Sequence, residues 1–439
     1  MHIAIVLPMR FGLHCAGDRV VAAAHDRGAI RSEVSVPLLG GDPLAATVQL
    51  LSKLGDLFPQ ANAHDGATSL TFEVSEMLKA DIATPAHLIR ISPRSATGGH
   101  DPFSLPWLAA TGAATPMILH LPGGHDARGQ EIVALNASGL KDLPPATVVA
   151  PRFVVTAVGS LLNPEHELQV GTSLLAKFPG ANIEYGHSFH HTSFAVRERT
   201  AYVNLALREQ ADAIVTSLSV AASSAFPRAR LLVATNCGGS IPLTRLAVTP
   251  VDAAASLRAT EAVGAAAFLG ATSGALSFEV GGTVQSCELD RGLPSVVPAL
   301  QSESFGKLAT PASNVRTASS GGEDHAHAED FHTVVIPHHE GLAARGAANL
   351  PRVDWTMSLI QIANETEMIR AKEAAESRLH ARLVSTGVPP EQVRTVESLV
   401  TATSYGNPEV IALRIRAIAH EERPLAHNDL AVSHRGEPR

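Results

Sequence analysis

Histidine carries much of the chemical signal in this chain. It occurs 21 times, and His325, His327, His332, His338 and His339 fall close together. The spacing His325-x-His327 sets two imidazoles on one side of a strand or turn, which suits a transition-metal ligand pair or acid–base chemistry. The plainer reading is a solvated, His-rich surface loop. A second chemical stretch is Ser277-Phe278-Glu279-Val280-Gly281-Gly282-Thr283. Paired glycines after a strand let a backbone approach a ligand and aim N–H groups at an anion, so Gly281, Gly282 and Thr283 are candidate cofactor contacts. An ordinary tight turn explains the same residues.

Other reactive side chains admit structural readings. His187, His190 and His191 form a second cluster, and His166 stands at a helix start, where a capping or core role suits it. Cys237 beside Gly238-Gly239 would be a nucleophile only with a base and a lowered pKa. Ser160 and Ser240 lack the Gly-x-Ser-x-Gly elbow of a serine hydrolase. Gly123-Gly124-His125-Asp126 reads as a turn whose last two residues could join a site. Glu365, Glu367 and Lys372 read as a solvated helix face.

These residues need a scaffold, and the pattern of elements supplies one. The chain has 439 residues, 45% hydrophobic and 17% charged, enough for two or three domains with a sizeable core. Net charge is −8 without a basic run, so nucleic acid is not an expected partner. The three cysteines, Cys15, Cys237 and Cys287, are too widely spaced for a zinc ribbon and suit a reducing cytoplasm. Residues 2–7 are an apolar run without a basic leader, expected as a first strand rather than a signal peptide. No apolar run approaches the ~18 residues of a membrane span. Expected strands lie at 19–24 (after a Gly17-Asp18 turn), 116–121, 153–158, 230–235, 275–280, 333–336 and 410–416. Expected helices lie at 44–54, ending at Gly55, and at 164–176, 198–223, 251–270 and 364–387. Residues 92–106 and 301–328 read as loops. Alternating strands and helices argue for an α/β architecture.

Several fragments occur in a familiar order. Asn163-Pro164-Glu165-His166-Glu167, Gly186-His187-Ser188, Arg197-Glu198-Arg199-Thr200 with Asn204, Asn236-Cys237-Gly238-Gly239, Ser256 to Ala265, Glu279-Val280-Gly281-Gly282-Thr283, and Gly321-Gly322-Glu323-Asp324-His325-Ala326-His327-Ala328 together resemble the A-type subunit of the hydantoinase/oxoprolinase family. The resemblance is best over 153–295. It implies an actin-like ATPase fold, two ribonuclease-H-like lobes around a central cleft, with a small C-terminal α/β segment. The implied boundaries are 1–150, 151–345 and 346–439. It adds Gly321 and Gly322 to the cofactor contacts. It also brings the loop around His14 and Cys15 to face residues 321–328 across the cleft. The implied catalytic set is therefore His14, Cys15, Glu279, His325 and His327, with His325 and His327 as metal ligands.

The nucleotide motifs depart from the family. Its first phosphate loop, Asp-x-Gly-Gly-Thr-x-Thr-Asp, falls on Val6-Leu7-Pro8-Met9, without carboxylate or glycines. Glu279 replaces the second loop's Asp, Val284-Gln285-Ser286 its trailing polar residues, and Leu257 and Glu261 two helix-leading glycines. Glu323 and Asp324 stand where small residues line a base pocket. Phosphoryl transfer needs Mg²⁺ held by carboxylates and backbone donors around the phosphates, so ATP and Mg²⁺ are not expected cofactors, whereas a transition metal is compatible with the histidines. Three functions follow from the resemblance. One is an enzyme acting on a small amide, lactam or related carbonyl compound without ATP, in specialised metabolism. Another is a non-catalytic partner of a B-type subunit; the expected protein partners are such a subunit or further copies of this chain as a homo-oligomer. The third is ATP-driven ring opening with Glu279 in place of Asp.

Overall fold

The computed structural model describes residues 9–26, 29–62, 68–80, 86–95, 117–143, 151–303, 305–319, 333–336, 341–403 and 409–419. The expected strand at 2–7 lies outside them. The first described strand is β1 (Arg10–Ala16), which turns through Gly17-Asp18 into β2 (Arg19–Asp26), with Gly17 at φ +59°. Side chains alternate along β1. Phe11, Leu13 and Cys15 enter the main core, so Gly12 and His14 face the other side. β3 (Ala29–Pro37) completes an antiparallel meander. α1 (Pro43–Leu57) starts at Asp42, whose carboxylate accepts from the N–H groups of Leu44 (2.9 Å) and Ala45 (3.2 Å). It runs past Gly55, the expected stop. A Cβ there would lie 3.2 Å from the Ala225 Cβ, so Gly55 serves close helix packing rather than termination.

Further along come β4 (Ser69–Glu73), β5 (His87–Ser92), β6 (Ile118–Pro122), β7 (Arg152–Ala157), α2 (Glu165–Lys177), β8 (Asn182–Tyr185) and α3 (Phe194–Ala225). β9 (Arg230–Ala234), β10 (Ser240–Pro242) and α4 (Leu257–Leu269) follow. The helix expected over 251–270 begins only at Leu257, because residues Pro250–Asp252 form a separate 3₁₀ turn under Pro250. β11 (Ser273–Val280) and β12 (Thr283–Asp290) form a hairpin turned by Gly281 and Gly282 at φ +58° and +78°. β13 (Leu293–Pro294), β14 (Arg316–Ser319) and β15 (Thr333–Val335) join it. Part of the stretch read as a loop, 301–328, is thus strand: β14 is there, as are Gly306–Leu308 and Ala312–Ser313. The chain ends in α5 (Leu342–Asn349), β16 (Arg352–Gln361), α6 (Glu365–Ser385), β17 (Val393–Ala402) and β18 (Val410–Ala419).

Three main sheets result, in a mixed α/β architecture. The largest has the order β17-β18-β16-β10-β9-β4-β1-β2-β3, the second β8-β7-β5-β6, and the third β13-β12-β11-β15 with β14 beside β12. Pairing crosses both expected boundaries. β7, after residue 150, pairs with β5 before it, and β16, after residue 345, joins the largest sheet through β10. Two small-residue contacts hold the site's elements together. A Cβ on Gly12 of β1 would fall 2.0 Å from the Ala344 carbonyl oxygen on α5. On Gly346 of α5 it would fall 1.9 Å from the Thr260 carbonyl oxygen on α4. β1, α5 and α4 therefore stack at backbone contact, which brings the end of β1 close to the start of α4.

Candidate functional site

β1 and β4 run parallel with His14 directly beside Glu73, so both side chains leave the same face. His14 Nδ1 lies 2.8 Å from Glu73 Oε2, and both residues are buried, at 6% and 1% exposure. Burial opposes charge on each, and the pairing outweighs it on both. Desolvation lowers the His14 pKa, but the hydrogen bond and charge of Glu73, with Glu76 and Glu261, raise it overall. Desolvation raises the Glu73 pKa, but His14 and the donors of Ser75 and Ser256 lower it overall. The other Glu73 oxygen accepts from the Ser256 hydroxyl at 2.7 Å and the Ser75 N–H at 3.0 Å. Ser256 stands immediately before α4, which explains how the helix start meets the strand end.

One turn into α4, Glu261 accepts from the Gln285 amide of β12 at 2.5 Å. Its pKa is raised, first by burial and also by Glu73, against the opposing effects of Gln285 and His14. The result is a buried imidazole whose Nδ1 is fixed by a carboxylate, with a second, readily protonated carboxyl nearby. The contact with Glu73 uses His14 Nδ1, so Nε2 is the ring nitrogen outside this pair.

The residues singled out in the sequence are divided by this geometry. His14 is at the centre of the cluster. Cys15 is not, because strand alternation sends it into the hydrophobic core on the opposite face. Burial, then Glu76 and Glu73, push its thiol up to about 11, so it remains protonated at neutral pH and is poorly suited to thiolate chemistry. Glu279 is half-buried on β11. Its neighbour Phe278 is the residue that pairs with Gln285, so Glu279 lies on the other face from Gln285 and is not among the charges acting on His14. Gly281 and Gly282 form the hairpin turn with open space around them, and Thr283 begins β12. His325, His327, Gly321 and Gly322 lie outside the described residues. Among the described residues, no group of three or more His, Cys, Asp or Glu side chains is placed to hold a metal ion. Val6, Leu7 and Pro8 of the expected first loop lie outside the described residues as well. The strand–turn–strand that could present such a loop is the β1–β2 hairpin, with His14-Cys15-Ala16-Gly17 leading into its turn. Among the described residues, the antiparallel pairing of this hairpin runs from Arg10 with His25 to Ala16 with Arg19.

Sequence reasoning missed Glu73. A carboxylate closing the wholly buried strand Ser69-Leu70-Thr71-Phe72 is a usable clue, since an ionisable group in that setting needs a partner. Ser256 appeared only as the start of a family-like fragment, and Glu261 and Gln285 only as departures from the family's motifs. Cys237 is buried, and its thiol pKa is raised mainly by burial. His166 accepts from the Gly124 N–H at 3.0 Å and meets Glu131 at 3.1 Å, a structural tie between α2 and the loop after β6.

No protein-family model and no curated protein matches the sequence. The fold has solved counterparts. A nucleotide-free acetone carboxylase, described for ATP-dependent acetone carboxylation, is similar with a TM-score of 0.65 at 10% identity, over 95% of this chain and 88% of that one. The ATP-dependent caprolactamase from Pseudomonas jessenii is similar with a TM-score of 0.64 at 10% identity, over 94% and 88%. At this identity the likeness is one of fold. No described helix is long and apolar enough to cross a membrane.

Proposed function

We propose that the chain is a hydantoinase/oxoprolinase-like enzyme that acts on a small amide, lactam or related carbonyl compound without ATP, with His14 as its proton-transfer group. The two similar structures act, by their descriptions, on acetone and on a caprolactam, both small carbonyl compounds. Two ribonuclease-H-like lobes are supported by a repeated strand order. β3-β2-β1-β4 and β14-β12-β11-β15 each place an antiparallel trio beside a parallel strand.

The observation that carries the reading is the buried pair of His14, on the β1–β2 hairpin, and Glu73, on the neighbouring strand β4. Set on that hairpin, the family's Asp-x-Gly-Gly reads His14-Cys15-Ala16-Gly17, so an imidazole stands where a metal-organising carboxylate would. Glu73 is already bound to His14, Ser75 and Ser256, and Glu261 adds a carboxyl that repels phosphate when ionised. The same set suits a neutral carbonyl substrate. Glu73 holds the imidazolium, whose Nε2 proton passes to the departing nitrogen as water adds to the carbonyl carbon and the carbon–nitrogen bond breaks; the proton released by the water restores the imidazolium.

The test is turnover of small lactams, hydantoins and linear amides with and without ATP·Mg²⁺. ATP-independent product is expected, falling on the order of 10²–10⁴-fold in His14→Asn, with a rate that declines as pH rises through the raised His14 pKa. Product formed only with ATP would overturn the reading. Absence of turnover in both conditions would transfer support to the B-type partner reading.

A further inference from the structure

The second sheet holds another concentration of polar side chains, separate from His14. Its strands are all parallel, in the order β8-β7-β5-β6. The chain steps from β5 to β6 on one side, then returns to place β7 on the other. Such a reversal opens a crevice outside the carboxyl ends of the two central strands, where ligands of open parallel sheets bind.

The loops at this edge are pressed together. Gly159, just after β7, has φ +76°, and a Cβ there would lie 2.3 Å from the His125 carbonyl oxygen. Glu167 of α2 accepts from the Ala157 N–H at 2.7 Å and the His187 N–H at 3.0 Å, and lies 2.6 Å from His187 Nδ1. The His187 ring is thereby fixed, a quarter exposed, with Nε2 as its remaining polar atom. Arg197 of α3 donates to the Ala157 carbonyl at 2.9 Å and to the His191 carbonyl at 3.0 Å, with the Ser160 hydroxyl at 3.5 Å. Its guanidinium therefore sits at the end of β7.

Among the described residues, three polar atoms here have no partner although their side chains are almost wholly buried: Arg197 Nε, Thr156 Oγ1 and His125 Nδ1. All lie within a short reach of the β7 terminus, since Thr156 is in β7 and the His125 N–H bonds the Val158 carbonyl. Arg197 Nε is an obligate donor, so it calls for an oxygen acceptor. The charge balance favours an anionic one. Glu167 is occupied as above, and Glu198 is taken by Arg90 at 2.9 and 3.1 Å. α2 and α3 both begin at this edge and direct the positive ends of their dipoles towards it.

We infer that this edge is a second binding site, for a small organic carboxylate that accepts from Arg197 Nε beside the ring of His187. A carboxylate matches the planar guanidinium and supplies the missing acceptor, which a neutral amide does less strongly.

The experiment is direct binding on the full chain, by calorimetry and by NMR, with acetate, succinate and pyruvate as probes. It requires no turnover, so its outcome is separate from the amide-opening reading. One-to-one binding of at least one probe is expected. His187→Asn, at a partly exposed residue, should weaken it roughly tenfold, and Arg197→Lys should weaken it further by removing Nε while keeping the charge. Arg197 also ties loop carbonyls, so thermal unfolding of that variant is followed in parallel, and the His187 variant decides if it unfolds. Binding of no probe, or equal binding by wild type and His187→Asn, would overturn the proposal. So would a crystal soaked with the probes that shows an ordered water alone at Arg197 Nε.

Discussion

A histidine and a glutamate buried on neighbouring strands stay ionised only because each compensates the other's loss of water. His14 and Glu73 are each nearly inaccessible, and each would be neutral if buried alone. Their coupling gives stability a definite pH window. Glu73 has a pKa lowered from 4.5, so its contribution is present above that value and lost as pH falls through the folded pKa. His14 has a pKa raised from 6.5, so its contribution is complete below that value and lost as pH rises through the folded pKa. The pair should therefore stabilise most between about pH 4.5 and 6.5. Denaturant unfolding of wild type and His14→Gln across this range should differ by about 3–5 kcal/mol inside the window, because removing one partner strands the other charge. The difference should shrink towards alkaline pH. A difference independent of pH would show that the pair is not ionised. Glu73 was not legible as a site residue, since no motif contains it and only the β1–β4 register sets it beside His14.

Helices α4 and α5 control where Ser256 and Glu261 stand. Their closest approach is at Gly264 and Gly346, where backbone meets backbone, and α5 in turn rests on Gly12 of β1. Side chains at these glycines would separate the layers rather than rotate away, because the atoms they meet are carbonyl oxygens. Gly346→Ala should therefore destabilise by at least the 1–3 kcal/mol typical of overpacking, read as a lowered Tm, and should also reduce any activity that depends on Glu73 and Ser256. An unchanged Tm would mean that the two helices are not held at this distance in solution. At this scale the sequence was informative. The apolar run of β7, the body of α1 and the Gly281-Gly282 turn all follow from local composition and backbone freedom. What escaped includes β1, β3, β4, β5, β8, β10 and β12, the helix α5, β16 and β17, both half-exposed along much of their length, and the strands within 301–328. Small polar residues suggested a loop there, yet β12 offers a pairing edge to Arg316–Ser319.

Across the whole molecule, the last strands complete the first sheet. β16, β17 and β18 extend it beyond β10, and α6 covers one face of that extension through Ala375, Leu379 and Leu383 against Leu413 and Ile415. A chain truncated after Asn349 should lose this cover and leave β10 as a bare edge, so reduced soluble yield is expected, measured after expression at matched levels. Normal yield and an unchanged far-UV spectrum per residue would show the extension to be an independent unit. By itself the sequence determined much of the alternation of strands and helices, the Gly17-Asp18 and Gly281-Gly282 turns and the acidic net charge. These depend on apolar periodicity, turn chemistry and charge, which are properties of neighbouring residues. Only the tertiary structure decided that His14 joins Glu73 and Ser256 while Cys15 and Glu279 turn away. Strand alternation fixes which face a side chain takes, but the partner across that face comes from residues dozens to hundreds of positions distant, brought there by sheet register and by glycine contacts between layers.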